Sequence, residues 1–238
     1  QEGFHAYSLQ TNTTGEIGDG TTTQHLTPVA VPGLGSVTAV AAGRDFSLAV
    51  KQDGTLWAWG LNNSNQLADG TTTSSSVPQQ VPGVSGATAV AAGALHGLAL
   101  LVDGTVLGWG RNVEGQVGDG TTTQRPTPVM VAGLTGIVAI AAGTDFSLAL
   151  DANGVVWSWG SNLHGELADG STTNRASPAA IGGLSSIVSI TAGGGHVFAV
   201  QSDGTVWGWG WNYVGQVGDG TTVNRATPVA ISGPNMSW

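Results

Sequence analysis

"DFSLAVKQDGTLWAWG" (residues 45–60) consists of two alternating runs about a Gln-Asp-Gly turn. In a strand, successive side chains point to opposite faces, and Asp-Gly between two such runs signals a hairpin. Phe46, Leu48 and Val50 fall on one face of the first run, with Ser47 and Ala49 on the other. In the second run Trp57 and Trp59 share a face, with Leu56 and Ala58 opposite. Large residues on one face and small ones on the other let neighbouring sheets nest, burying both faces.

The hairpin is not unique in the chain. Trp59, Trp109, Trp159 and Trp209 lie fifty residues apart, each followed by Gly. Gly43, Gly93, Gly143 and Gly193 keep the same spacing. So do the five residues from Asn12 to Asn212 and the five from Pro28 to Pro228. A β-branched and Ala run, "SVTAVAAG" (36–43), precedes the hairpin, and "TPVAV" (27–31) reads as a further short strand. Each unit therefore carries about four short strands and no helix. Four strands per fifty residues, repeated about an axis, predict an all-β fold: a β-propeller of four-stranded blades. The chain reads as one domain, 1–238. Its repeat units are about 11–60, 61–110, 111–160 and 161–210, with partial repeats at 1–10 and 211–238. That makes four full blades plus a split or partial fifth.

Composition limits function. The net charge is −9 and only 6 residues are Lys or Arg, too few for a phosphate-binding surface, so nucleic acid is not expected as a partner. No apolar run approaches the ~18 residues of a membrane span. The absence of Cys removes disulfides, thiolate metal sites and Cys nucleophiles. A Lys-poor, Thr/Asn/Gly-rich surface favours a bacterial protein that is secreted or on the cell surface. The nine Trp and 40% hydrophobic content supply a core.

The consensus "VxAIAAGxxFSLALxxxGxVWxWGxNxxGxxGDGTTxxxxTPVxV" resembles the repeat of the regulator-of-chromosome-condensation (RCC1-like) superfamily. The resemblance rests on Ala42-Gly43, Ala142-Gly143, "HGLAL" (96–100), "FSLAL" (146–150), "DGTVWGWG" (203–210) and "NxxGQVGDG" (112–120 and 212–220), and it spans Gly15 to Val229. It implies a propeller but no single function, since one fold hosts many activities. Founding members of the family are GTPase exchange factors on chromatin. Others are secreted bacterial proteins that cap β-lactamases, and many are modules of surface or secreted proteins. The unbroken fifty-residue spacing leaves no room for the exchange factors' wedge, and their basic segments are missing. Typical members have seven repeats. Here Tyr7 aligns with Trp57 and Leu9 with Trp59, so the chain starts inside a repeat. Three arrangements fit: a piece of a longer propeller, a ring completed by another chain, or a small ring in which the N-terminal strand and "TPVAI" (227–231) share a blade. An unclosed edge favours homo-oligomers.

The repeated Asp19, Asp69, Asp119, Asp169 and Asp219 could be metal ligands, but one carboxylate per loop is too few for calcium. They read as turn formers, with Gly at φ > 0 and Asp accepting from the following Thr. His96 and His196 occupy the slot of Phe46 and Phe146, a packing position with one hydrogen bond. His5, His25 and His164 are singletons. No nucleophile elbow, phosphate loop or metal constellation is present, so neither enzyme activity nor a cofactor is expected.

Recognition belongs at slots that differ between otherwise matching repeats. One slot follows "AAG" (Arg44-Asp45, Ala94-Leu95, Thr144-Asp145, Gly194-Gly195). A second follows "WG": Leu61, Arg111, Ser161 and Trp211, then Asn63, Val113, Leu163 and Tyr213. The third follows the Thr run: His25, Ser75, Arg125, Arg175 and Arg225. Trp211 and Tyr213 are large aromatics of the kind that dominate interface hot spots. The expectation is a non-enzymatic scaffold binding a protein partner, or itself, through loops on one face. A carbohydrate- or surface-binding module is the alternative.

Overall fold

The computed structural model describes residues 7–8 and 12–231. Its architecture is all-β. A first sheet contains β3 (Val37–Ala42), β4 (Phe46–Lys51), β5 (Leu56–Gly60) and β6 (Ser75–Gln80). The second has β7 (Ala87–Ala92), β8 (His96–Leu101), β9 (Val106–Gly110) and β10 (Arg125–Met130). The third has β11 (Ile137–Ala142), β12 (Phe146–Asp151), β13 (Val156–Gly160) and β14 (Arg175–Ala180). The fourth has β15 (Ile187–Ala192), β16 (His196–Gln201), β17 (Val206–Gly210) and β18 (Arg225–Ala230). Each sheet is an antiparallel meander in chain order, one propeller blade. It runs across the boundary of the units counted from Thr11, because its outermost strand comes from the next unit.

A two-stranded sheet precedes these, β1 (Tyr7–Ser8) with β2 (Val29–Ala30). Tyr7 faces Ala30 as Trp57 faces Gln80, so this pair repeats the outer half of a blade in the same register. Leu9, aligned with Trp59 in the sequence, lies outside the described residues. The "TPVAI" stretch does not share a blade with the N-terminal strand. Its residues 227–230 lie in β18 against β17, completing the fourth blade, while the N-terminal strand finds "TPVAV" next to it in sequence. Local pairing wins because the same Thr-Pro stretch is available nearby at a smaller loop-closure cost.

The nesting of large on small is visible at each blade boundary. Phe46, Leu48 and Val50 pack with Ala99 and Trp109 of the second blade. Phe146, Leu148 and Leu150 pack likewise with Ala199 and Trp209. The four indoles that precede "G" are buried, and each donates its Nε1–H to a loop carbonyl: Trp59 to Glu16, Trp109 to Gln66, Trp159 to Gln116 and Trp209 to Glu166. These bonds satisfy the one polar group that an indole brings into a core.

Candidate functional site

The Gly-Asp-Gly loop is a strut. In every copy the Asp Oδ1 accepts from the backbone N–H two residues on: Thr21, Thr71, Thr121, Ser171 and Thr221. The following Gly has positive φ, for example +83° at Gly120. A buried Asn staples the loop shut. Asn112 Nδ2 donates to Asp119 Oδ1 and to the Thr121 and Thr123 carbonyls, while its Oδ1 accepts from Val117 N–H at 2.9 Å. The loop also clasps the next blade, as Gly70 N–H reaches the Pro126 carbonyl and Gly120 N–H the Ala176 carbonyl. Burial alone would raise the Asp119 pKa. The Thr121 hydroxyl and N–H and the Arg125 guanidinium outweigh it and hold that pKa below the ordinary value. The same balance takes Asp219 down to about 2.

The third variable slot closes onto this strut. Arg125 and Arg225 bond through Nε to Asp119 and Asp219, Arg175 reaches Asp169 at 3.1 Å, and His25 reaches Asp19 at 2.8 Å. These guanidinium groups therefore serve the loop's own carboxylates. The sequence carried the signal, since Arg sits six residues after Asp in three copies.

The other two variable slots come together at one end of the propeller. Phe46 pairs with Gly60 across β4–β5, so the loop after "AAG" and the loop after "WG" leave the sheet side by side. A backbone bond joins them in each blade: Leu61 N–H to Asp45, Arg111 to Leu95, Ser161 to Asp145 and Trp211 to Gly195. Asp145 also accepts from Arg111 Nη1 at 3.2 Å and Gln116 Nε2 at 3.0 Å, linking the second blade's loop to the third blade. Leu61 is half-buried and makes no such link.

The apolar tips of this end are exposed: Val113 by 57%, Leu163 by 65%, Tyr213 by 73% and Trp211 by 40%. Val113, Leu163 and Tyr213 occupy equivalent places in successive loops, so they form an arc. Trp211 stands over Gly195, where an added Cβ would lie 3.1 Å from the Trp Cβ. The His164 ring stacks on it from the preceding loop at 5.5 Å between centroids. His164 Nδ1 is in turn 3.0 Å from Glu166 Oε1, which fixes the ring. Sequence reasoning treated His164 as a singleton. What gathers it in is the loop's crossing to the next blade.

Nearer the axis an opening of about 520 Å³ is lined by the Ala-Gly segments of all four blades and by Arg44 and Thr144. His96 and His196 stand beside it in the Phe slot. His96 is fully buried with one hydrogen bond, to Ser147, and His196 packs edge-on against Phe198. Among the described residues no three His, Asp or Glu side chains converge as metal ligands.

The RCC1-like domain pattern matches residues 7–237. The chain belongs to the RCC1-like family. The RCC1-like chain resembles human WBSCR16 with a TM-score of 0.87 and 24% identity, over 98% of this chain and 63% of that one. It resembles Prp20p of Saccharomyces cerevisiae, studied for binding to Gsp1p and histones, at 0.76 and 26%, over 87% and 53%. It also resembles yeast RCC1 (Prp20) in a complex with Kap60, at 0.84 and 22%, over 99% and 59%. The chain thus spans under two thirds of these relatives' lengths. No curated protein sequence matches it. Four-bladed regularity, indole-to-carbonyl bonds and Asn-stapled loops are how this RCC1-like sequence builds its propeller.

Proposed function

We propose that this RCC1-like chain is a non-enzymatic scaffold that binds a protein partner through the loops at one end of its blades. The observation carrying the reading is a contrast between slots. Positions that build the blade repeat every fifty residues, whereas the end formed by the "AAG" and "WG" loops changes from blade to blade and exposes Val113, Leu163, Trp211 and Tyr213. Water-exposed aromatics held in place on a rigid frame suit a protein interface: they bring large apolar area at low ordering cost. Arg111, held by Asp145, and Leu61 extend the same surface. Arg125, Arg175 and Arg225 lie at its rim and contribute through the stiffness of the loops they close. Prp20p of Saccharomyces cerevisiae, 26% identical, was studied for binding to Gsp1p and histones, which supports a protein as the partner. Secretion or surface display belongs to the same proposal, on composition alone.

The experiment is affinity capture with the wild-type chain and with a Trp211→Ala/Tyr213→Ala variant, followed by quantitative mass spectrometry. A partner specific to this face is lost from the variant while thermal unfolding is unchanged.

A further inference from the structure

One loop position separates the repeats by charge. Glu16, Gln66, Gln116, Glu166 and Gln216 share a slot, and each side chain accepts the backbone N–H two residues before it. That donor satisfies the single oxygen of a Gln, whereas a carboxylate has a second oxygen to serve. The two Glu stand where the side chain two residues earlier supplies the second donor. The Thr14 hydroxyl lies 2.7 Å from Glu16, and His164 Nδ1 lies 3.0 Å from Glu166. Glu166 is buried, so its bond to His164 offsets the loss of water at that oxygen.

A carboxylate only accepts, so His164 Nδ1 carries the hydrogen and Nε2 keeps a lone pair. Nε2 has no partner among the described residues, and the side chain is 41% exposed, so solvent protons reach it. The ring lies against Trp211 of the fourth blade, 5.5 Å between centroids and 33° from parallel. Glu166 is the counter-charge the ring contacts. The fourth blade's loop brings Trp211, Asn212, Tyr213 and Val214, none charged near neutrality. β18 meets the His164 loop through the backbone of Arg225 and Ala226 beside Gly165, and the Arg225 guanidinium turns to Asp219. Glu114 of the second blade's loop accepts from Asn174. His196 follows Gly195 under the indole, and desolvation holds its pKa below the ordinary imidazole value.

From this arrangement we infer that His164 is a proton-operated clamp on Trp211. On acidification Nε2 takes a proton from solvent, and no covalent bond other than that N–H changes. The imidazolium then makes a charge-assisted bond to Glu166 and a cation–π contact with the indole, and both hold Trp211 more firmly. With Nε2 bare, the neutral ring offers the indole a stacking contact alone. An anchor held still before binding loses less freedom on binding, so the face takes its partner more tightly in acid. That consequence rests on the reading of Trp211 as a partner-binding anchor; the clamp itself does not.

The test follows the free chain by proton–nitrogen NMR from pH 8 to pH 5, with the Trp211 indole assigned by its loss in Trp211→Phe. The expected result is one titration step shared by the Trp211 indole and the His164 ring, with the indole more rigid on the acid side. His164→Phe keeps a stacked ring that takes no proton, so the step disappears while the fold is kept. His196→Phe, which copies Phe46 and Phe146, leaves the step unchanged. An indole signal that is flat, that follows another group or that loosens in acid overturns the inference, as does a step that survives in His164→Phe. Calorimetry with a captured partner should then show binding about two- to fivefold tighter at pH 5.5 than at pH 8, a ratio absent from His164→Phe. A step in the free chain with equal affinity at both pH values overturns the regulatory role. A partner kept by Trp211→Ala/Tyr213→Ala, with the step present in the free chain, overturns the reading of the face and leaves the clamp standing.

Discussion

His96 Nε2 lies 2.9 Å from Ser147 Oγ, a side-chain bond across the boundary between the second and third blades. The Ser147 hydroxyl donates to the Gln116 carbonyl at 2.8 Å, so the imidazole is the donor and its proton sits on Nε2. Burial, with a smaller contribution from the Arg111 charge, pushes the His96 pKa down to about 3. The unfolded chain therefore binds more protons than the folded one between about pH 6.5 and 3. The stability this neutral His permits is present above pH 6.5 and is lost as pH falls through that window. The loss is on the order of a few kcal/mol at the acid end. His96→Phe, which copies Phe46 and Phe146, should remove this part of the acid sensitivity. Urea midpoints at pH 7 and pH 4 check it: the gap between them narrows in the variant. The carboxylates with lowered pKa, Asp119 among them, still weaken both proteins at lower pH.

Asn112 closes its loop through one buried amide that serves three acceptors and one donor. Asn112→Ala leaves the Val117 N–H without its acceptor in the interior and frees the Asp119 strut. The expected loss is about 2–3 kcal/mol, seen as a lower denaturant midpoint. Hydrogen exchange should show loss of protection centred on residues 115–121.

Gly118 and Ala68 hold the same left-handed backbone, φ +84° and +57°, yet they are not interchangeable. A Cβ at Gly118 would come within 2.5 Å of Trp159 Nε1. In the second blade the indole of Trp109 leans toward Gly97, where a Cβ would be 2.4 Å from it, and that leaves space for Ala68. Gly118→Ala should cost about 2–4 kcal/mol from strain and overpacking. Ala68→Gly should change stability by less than about 1 kcal/mol, because relief of the left-handed backbone offsets the lost methyl. Thermal unfolding of the two variants side by side decides it.

The Trp59, Phe46 and Asp19 series were readable in sequence because backbone period and side-chain alternation fix what each repeated position does. The Asp-Gly turn, the buried indoles and the packing role of His96 follow from that regularity alone. The origin of the outer strand was not readable. Residues 75–80 join the sheet of residues 37–60 because the intervening loop folds back, and no local propensity records that return. The pairing of Arg125 with Asp119 left a trace in the six-residue spacing shared by three copies, but spacing alone does not separate a local counter-ion from a surface contact at a residue that varies between repeats. His164 against Trp211 depends on the crossing between blades, which appears only once the loops are placed.

The central claim is that Trp211 and Tyr213 anchor a protein partner at the variable end of the blades. Its most direct measurement is the affinity of a captured partner for the wild-type chain and for the Trp211→Ala/Tyr213→Ala variant, by titration calorimetry, with Lys51→Ala as a control remote from that end. Truncating two hot-spot aromatics should weaken binding by roughly 30-fold or more, about 2 kcal/mol, with the unfolding temperature and the control unchanged. Equal affinity of the wild-type chain and the double variant would contradict the account.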